Sequence, residues 1–265
     1  VLQKDLLLIG RKVKMREKQD SFYTIDGLQY PRVTKILKVI DKPMLNYWRK
    51  KTVMEYLYNN IEELSVAMKL DKAEFFTSPF VKSAMSADNV IRDKAAGEGT
   101  DAHGLVQAHL EGHPIEAPVY DEGTRNAFEA YLKWRELEGK HYKLIINELL
   151  VWNKEYCYAG KIDSVGMLNG KLVIVDFKTN KGGIYPEHNM QVAAYHACPL
   201  NNGQLGGDFS EAEKHGAEEC WILHLSKETG DYTFGKVENL DKHFETFKAC
   251  LTVYNWLEWL KKNGK

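Results

Sequence analysis

Tyr158 to Lys178 reads Tyr-Ala-Gly-Lys-Ile-Asp-Ser-Val-Gly-Met-Leu-Asn-Gly-Lys-Leu-Val-Ile-Val-Asp-Phe-Lys, and its reading decides the fold. Two runs rich in β-formers flank Asn169-Gly170, the dipeptide that supplies positive φ most cheaply in a tight turn, so the stretch predicts an antiparallel hairpin. Pairing the strands brings Asp163 towards Asp176. Along the second strand, period-two alternation puts Ile174, Asp176 and Lys178 on one face and Val173, Val175 and Phe177 on the other. An acid and a lysine therefore leave the sheet side by side.

Two carboxylates about 4 Å apart near a surface repel by roughly 4 kcal/mol at an effective dielectric near 20, so a fold keeps them together only with compensation. A divalent cation with oxygen ligands fits, since Mg²⁺ and Mn²⁺ favour carboxylates, carbonyls and water. The alternative is that Asp176 and Lys178 form a simple surface ion pair, because an isolated D-x-K is common by chance.

The order of the surrounding residues adds specificity. Gly160-Lys161-Ile162-Asp163, a short hairpin, Asp176-Phe177-Lys178-Thr179 and then Gln191-x-x-x-Tyr195 at helical spacing resemble the core of the PD-(D/E)XK nuclease superfamily, in its RecB-like branch. That branch includes phage exonucleases, CRISPR-associated RecB-like nucleases and the mitochondrial genome-maintenance exonuclease. Upstream, Gly99-Thr100-x-x-His103 looks like the branch's metal-binding histidine, and Tyr30-Pro31-Arg32-Val33-Thr34-Lys35-Ile36-Leu37 resembles the entry segment of phage members. Two positions depart from the pattern. Ile162 stands where the name-giving Pro would precede the first acid, and Glu98 stands where many relatives carry Arg.

The resemblance implies an α/β (mixed α+β) fold: a restriction-endonuclease-like core, with a central mixed sheet flanked by helices, plus an N-terminal helical region. A basic arm, hairpin and helical region would occupy residues 1–95 and the nuclease core 96–265, together one compact unit. It also implies a metal-dependent DNA nuclease of replication, recombination or repair, an exonuclease on single-stranded or end-bearing DNA. A structure-specific endonuclease and a non-catalytic DNA-end-binding subunit of a helicase–nuclease assembly are the alternatives. His103, Asp163, Asp176 and the main-chain carbonyl of Phe177 would hold one or two Mg²⁺ or Mn²⁺ ions. Lys178 would position or deprotonate the attacking water or offset phosphate charge, and Gln191 would assist orientation. Tyr195 follows Gln191 on the same helix face, on the side of the DNA. Glu148 shares a strand position with an acid of many relatives; a second metal and an ion pair with a neighbouring Lys or Arg are its two readings. The four cysteines, Cys157, Cys198, Cys220 and Cys250, form no C-x-x-C pair. No disulfide framework and no iron–sulfur cluster of the kind found in some relatives is expected.

Composition sets the outer bounds. Hydrophobic content of 44% with 28% charged residues over 265 residues is ordinary for a globular protein. No run approaches the roughly 18 apolar residues needed to span a bilayer, so no membrane partner is expected. The resemblance points to the cytoplasm of a bacterium or phage-infected host ahead of a mitochondrion. Residues 1–58 hold 13 Lys and Arg against 6 Asp and Glu, so a net +7 there balances −8 elsewhere in a chain of net charge −1. Such a basic segment is either a solvated face or a phosphate-contacting surface for DNA. A helicase, a recombinase, a single-strand-binding protein and a second copy of the chain are further candidate partners. No P-loop is present to drive unwinding.

The remaining elements follow from local signals. Residues 10–20 are too polar for a core element and read as an arm or edge strand, and Asp26-Gly27 centres a small hairpin. Thr34 is the expected N-cap of a helix over 35–40, and Pro43 the start of another. In that helix Trp48, Arg49, Lys50 and Lys51 combine an aromatic with three cations suited to gripping a DNA strand. Spacing with the leucines favours a core place for Trp48. Gly97 and Gly99 predict a bend, with a helix starting near Thr100 and His103 in its first turn. His109 and His113 read as incidental. A helix is expected over 124–138, strands over 142–152, 219–225 and 232–236, a polar loop over 201–216, and helices over 186–196 and 241–262.

Overall fold

A computed structural model describes residues 21–115, 120–200 and 216–264. The segments read as a basic arm over 10–20 and a polar loop over 201–216 lie outside the described residues, the last save Gly216. A small hairpin comes first, β1 (Phe22–Ile25) and β2 (Leu28–Pro31). Both residues of its turn have positive φ, Asp26 at 50° and Gly27 at 77°, and Asn169 and Gly170 repeat this at 52° and 81°. Two consecutive left-handed residues match the right-handed twist of the flanking strands, which is why Asp-Gly and Asn-Gly close tight hairpins.

A short helix α1 (Val33–Ile36) with a 3₁₀ turn (Leu37–Val39) leads to α2 (Pro43–Asn59), α3 (Ile61–Ala67), α4 (Lys72–Thr77) and α5 (Pro79–Met85). Then come α6 (Ala87–Leu110), α7 (Glu122–Glu136), β3 (Lys143–Asn153), β4 (Tyr158–Leu168) and β5 (Lys171–Lys178). The chain ends with α8 (Pro186–His196), β6 (Glu219–Leu225), β7 (Tyr232–Lys236) and α9 (Leu240–Lys262), making nine α-helices among the described residues. The fold is thus mixed α/β. Among the described residues no helix is long and apolar enough to cross a membrane.

The main sheet runs β3-β4-β5-β6-β7, antiparallel except between β5 and β6. A parallel pair cannot be closed by a tight turn; it needs a crossover, and α8 lies in the one that joins β5 to β6. Ile162, Ile174 and Ile222 on one sheet face bury against Val33, Val192, Tyr195, Phe247 and Leu251, from α1, α8 and α9. Val173, Val175, Phe177 and Leu223 on the other bury against Ala102, Val106, Ala127, Tyr131 and Trp134, from α6 and α7. Fully burying one such side chain contributes about 1.5–3 kcal/mol, so these two layers fix where the helices stand. Tyr30 of β2 packs on Trp152 and Ala159 and docks the first hairpin against the sheet.

Three sequence-based expectations are corrected. Arg32, not Thr34, is the N-cap of α1, which is a single turn. The preferred core place for Trp48 does not materialise: α2 buries Thr52 alone among its residues, and Trp48 is half-buried. The bend at Gly97 and Gly99 is absent, because α6 runs unbroken for 24 residues. Thr100 is therefore no cap; its hydroxyl donates to the Ala96 carbonyl at 2.9 Å inside the helix. Residues 95 and 96 lie within α6, which joins the N-terminal helices to the sheet.

Candidate active site

The sheet splits where the two acids stand. The β4–β5 ladder pairs Leu168 with Lys171 and ends at Ser164 with Val175. Below that step β4 pairs with β3 and no longer with β5, while β5 continues with β6 through Asp176–Ile222 and Lys178–His224. Asp163 and Asp176 sit at the parting. The Phe177 amide, just past the last pair, donates to Asp163 Oδ2 at 2.7 Å. A carboxylate thus takes the place a neighbouring strand would have filled.

Glu148 lies opposite Asp163 in β3, between the Asn147–Ser164 and Leu149–Ile162 pairs. Its φ is 56°, a left-handed residue inside a strand, following a register shift at Leu144–Ile146. For a non-glycine residue this conformation costs roughly 1–2 kcal/mol. Its side chain pairs with Lys161 of β4, so the ion-pair reading of Glu148 describes its contact.

Elements from both faces converge on the split. From α6, His103 Nδ1 lies 4.0 Å from Asp163 Oδ1, and its ring meets Phe177 edge-on with centroids 6.0 Å apart. His103 is thus delivered from mid-helix, not from a first turn. Lys178 Nζ lies 2.5 Å from Asp176 Oδ2, as the strand alternation requires. From α8, Gln191 Nε2 donates to Asp176 Oδ1 at 3.3 Å and to the Tyr195 hydroxyl at 2.8 Å. The Tyr195 ring lies flush on Gly160, where a Cβ would come within 2.2 Å of Cε1. Any side chain at residue 160 would displace it.

Burial dominates the electrostatics. It raises both Asp163 and Asp176 to about 6 against the partial opposition of Lys178. Burial, and next the Lys178 ammonium, lower the His103 imidazole below its ordinary range. His188, one turn before Gln191 on α8, is pushed down to about 4 by burial and then by Lys178. It was not singled out from sequence, although the three-residue spacing to Gln191 is the signal that could have found it.

Compared with models of known protein families and with curated proteins, the chain gives no match.

Among the described residues, no three His, Cys, Asp or Glu side chains stand close enough to hold an ion as placed. In kind, the donors nonetheless suit a hard divalent cation: the buried Asp176 and half-buried Asp163 carboxylates stand with one ammonium, and Asp176 Oδ2 has no hydrogen bond of acceptable geometry. A lowered imidazole pKa leaves His103 neutral near pH 7, the form that donates a lone pair to a metal.

The other candidate residues lie elsewhere. Arg49 pairs with Asp88 at 3.4 Å and Lys51 with Glu55 at 3.5 Å. Arg49 and Lys50 line a cleft of about 450 Å³ with Met85, Asp88 and Asn89. Asp88 and His103 are fifteen residues apart on α6, which at 1.5 Å per residue is about 22 Å. The Trp48–Lys51 group is thus not part of the acid site. Glu98, the departure from the family pattern, forms a half-buried pair with Lys227 at 3.0 Å. His109 packs on Phe128 and its Nδ1 meets the Tyr131 hydroxyl at 2.9 Å.

Proposed function

We propose that this chain is a Mg²⁺- or Mn²⁺-dependent deoxyribonuclease with a restriction-endonuclease-like core, of the RecB-like branch of the PD-(D/E)XK superfamily. The observation that carries the reading is the convergence of Asp163, Asp176, Lys178, His103 and Gln191, from two strands and two helices, at one split in the sheet. Structural ion pairs do not need a neutral histidine, a side-chain amide and two carboxylates at one place. A metal-dependent phosphodiester hydrolase can use such a set to hold a cation and aim a water.

His103, Asp163, Asp176 and the Phe177 carbonyl would hold the cation, with Glu148 as a further oxygen donor once freed from Lys161. Bound there, the ion would supply charge neutralisation for the pentacovalent transition state and acidify a water. Lys178 presents its ammonium to the phosphate oxygens and orients the attacking water. The Gln191 amide, held between Asp176 and Tyr195, fixes the direction from which that water approaches. Tyr195 shields the Gly160 side of the split, which keeps the acids out of bulk solvent and strengthens each charge interaction there.

The preference for DNA ends, the exonuclease reading and a place in replication, recombination or repair come from the family resemblance. Purified protein should degrade end-labelled linear single-stranded or duplex DNA with Mn²⁺ and stop with EDTA, while circles survive. Asp176→Ala or Lys178→Ala should abolish cleavage and leave the far-UV circular dichroism unchanged. Full activity in either variant removes the assignment. Cleaved circles or flaps would instead favour a structure-specific endonuclease, and metal binding without any cleavage would favour a non-catalytic DNA-end-binding subunit.

A further inference from the structure

Arg32 stands beside the site and has no part in the chemistry just described. It follows β2, heads α1, and its main chain bridges to Ala159 of β4. From Ala159 the strand runs through Gly160 and Lys161 to Asp163, a distance of only four residues. The Arg32 guanidinium carbon lies 4.4 Å over the ring of Tyr23 on β1. Its Nε is buried with no hydrogen-bond partner, and no carboxylate of the described residues pairs with it.

That combination is unusual. A guanidinium always carries its charge and offers five N–H donors, and a buried donor in a folded protein nearly always finds an acceptor. Four nearby groups, Arg32, Lys161, Glu148 and Asp163, act electrostatically on the Tyr23 hydroxyl, and Tyr23 in turn acts on Tyr195 with both acids. On β4, Arg32 bridges to Ala159 and Lys161 stands two residues before Asp163, so both cations belong to the strand segment that leads into the split. Lys161 has a carboxylate partner in Glu148; Arg32 has none.

We propose that Arg32, held over the Tyr23 ring, is a phosphate clamp that with Lys161 fixes the nucleic-acid strand beside the bond to be cut. The proposal rests on the nuclease reading. A planar fork of donors fits two phosphate oxygens at once, a geometry an ammonium cannot reproduce. The contact with Tyr23 and the burial of Nε restrict the guanidinium before the strand arrives, so less freedom is lost on binding. The phosphate is either internal to the strand or the one at its end.

The test uses the full chain and short labelled DNA bearing a 5′-phosphate, a 3′-phosphate or only hydroxyl ends. Arg32→Gln should raise KM about tenfold with kcat within about twofold, and Arg32→Lys should recover only part of the loss. The slope of log affinity against log salt should fall by about one in Arg32→Gln, and exposed Lys72→Gln should leave it unchanged. Equal weakening on all three ends assigns an internal phosphate. Weakening confined to one phosphorylated end, matched by removing that phosphate from the wild-type substrate, assigns the terminal one. An Arg32→Gln protein with wild-type melting, KM and salt slope overturns the clamp and leaves the nuclease reading intact. If the wild type cuts no DNA with any metal, the nuclease reading falls, and the binding series on Arg32 still decides the clamp.

Discussion

Asp163 and Asp176 face each other one step past Ser164–Val175, the last pair of the β4–β5 ladder, and burial raises both to about 6. Unfolded, each carboxyl would titrate near 3.8. The protonated form is thus favoured by the fold, so this contribution to stability is complete below about pH 4 and is lost as pH rises through about 6. Asp163→Asn keeps an acceptor for the Phe177 amide and removes the charge. In metal-free protein it should stabilise by on the order of 2 kcal/mol at pH 8 and by almost nothing at pH 4. Saturating Mn²⁺ should reverse the order at pH 8. Urea melts across pH with and without Mn²⁺ read this directly, and a difference that ignores pH would contradict it.

Lys178 both serves and competes. Its ammonium lies 2.5 Å from Asp176 Oδ2, where an approaching cation would meet the carboxylate. Lys178→Met should therefore tighten Mn²⁺ binding by calorimetry, while the cleavage rate falls by a factor of about 10² or more. Weaker binding together with slower cleavage would mean that the lysine holds the site open instead of competing for it.

Much of this site could be read in the sequence because two local rules were enough. Asn169-Gly170 set the hairpin, and alternation put Asp176 beside Lys178. The helix bearing His103 was harder. Gly97 and Gly99 read as breakers, yet α6 passes through both, because tertiary contacts outweigh the propensity cost. At Gly99 the reason is visible: a Cβ would lie 2.7 Å from Thr179 Oγ1, so glycine lets the helix approach the end of β5. The split between β4 and β5 left no sequence signal either, since it accompanies a left-handed Glu148 that the residue type does not favour. Tyr23 and Arg32 were invisible as site neighbours because only the docking of the first hairpin onto Ala159 brings them there.

The two helical glycines should then behave in opposite ways. Nothing lies within 4 Å of a Cβ built at Gly97, so Gly97→Ala should gain about 1 kcal/mol from helix propensity alone. Gly99→Ala should gain nothing, because Thr179 must rotate or α6 must withdraw. His103, one turn further along, would withdraw with it, and cleavage should fall in Gly99→Ala only. Thermal melts and initial rates on both variants separate propensity from packing; equal stabilisation would show that the close approach is not a constraint.

Gly160 offers the sharpest packing test. Its φ is not in the left-handed region, so glycine is required there by space and not by backbone conformation. A methyl group would overlap the Tyr195 ring, with Cε1 at 2.2 Å, and the ring has little room to move because Tyr195 is buried in the core between α8 and the sheet. Gly160→Ala should therefore cost about 1–3 kcal/mol, the usual range for overpacking. Moving the ring also removes the hydroxyl that accepts from Gln191, so Gln191 loses one of the two contacts that aim it at Asp176. Activity should fall at temperatures where the variant is still fully folded, whereas Tyr195→Phe, which keeps the ring and removes the hydroxyl, should lose activity with a much smaller change in melting temperature. If Tyr195→Phe cleaves at the wild-type rate, the Gln191–Tyr195 bond does not position the amide, and the loss in Gly160→Ala must come from displaced packing alone.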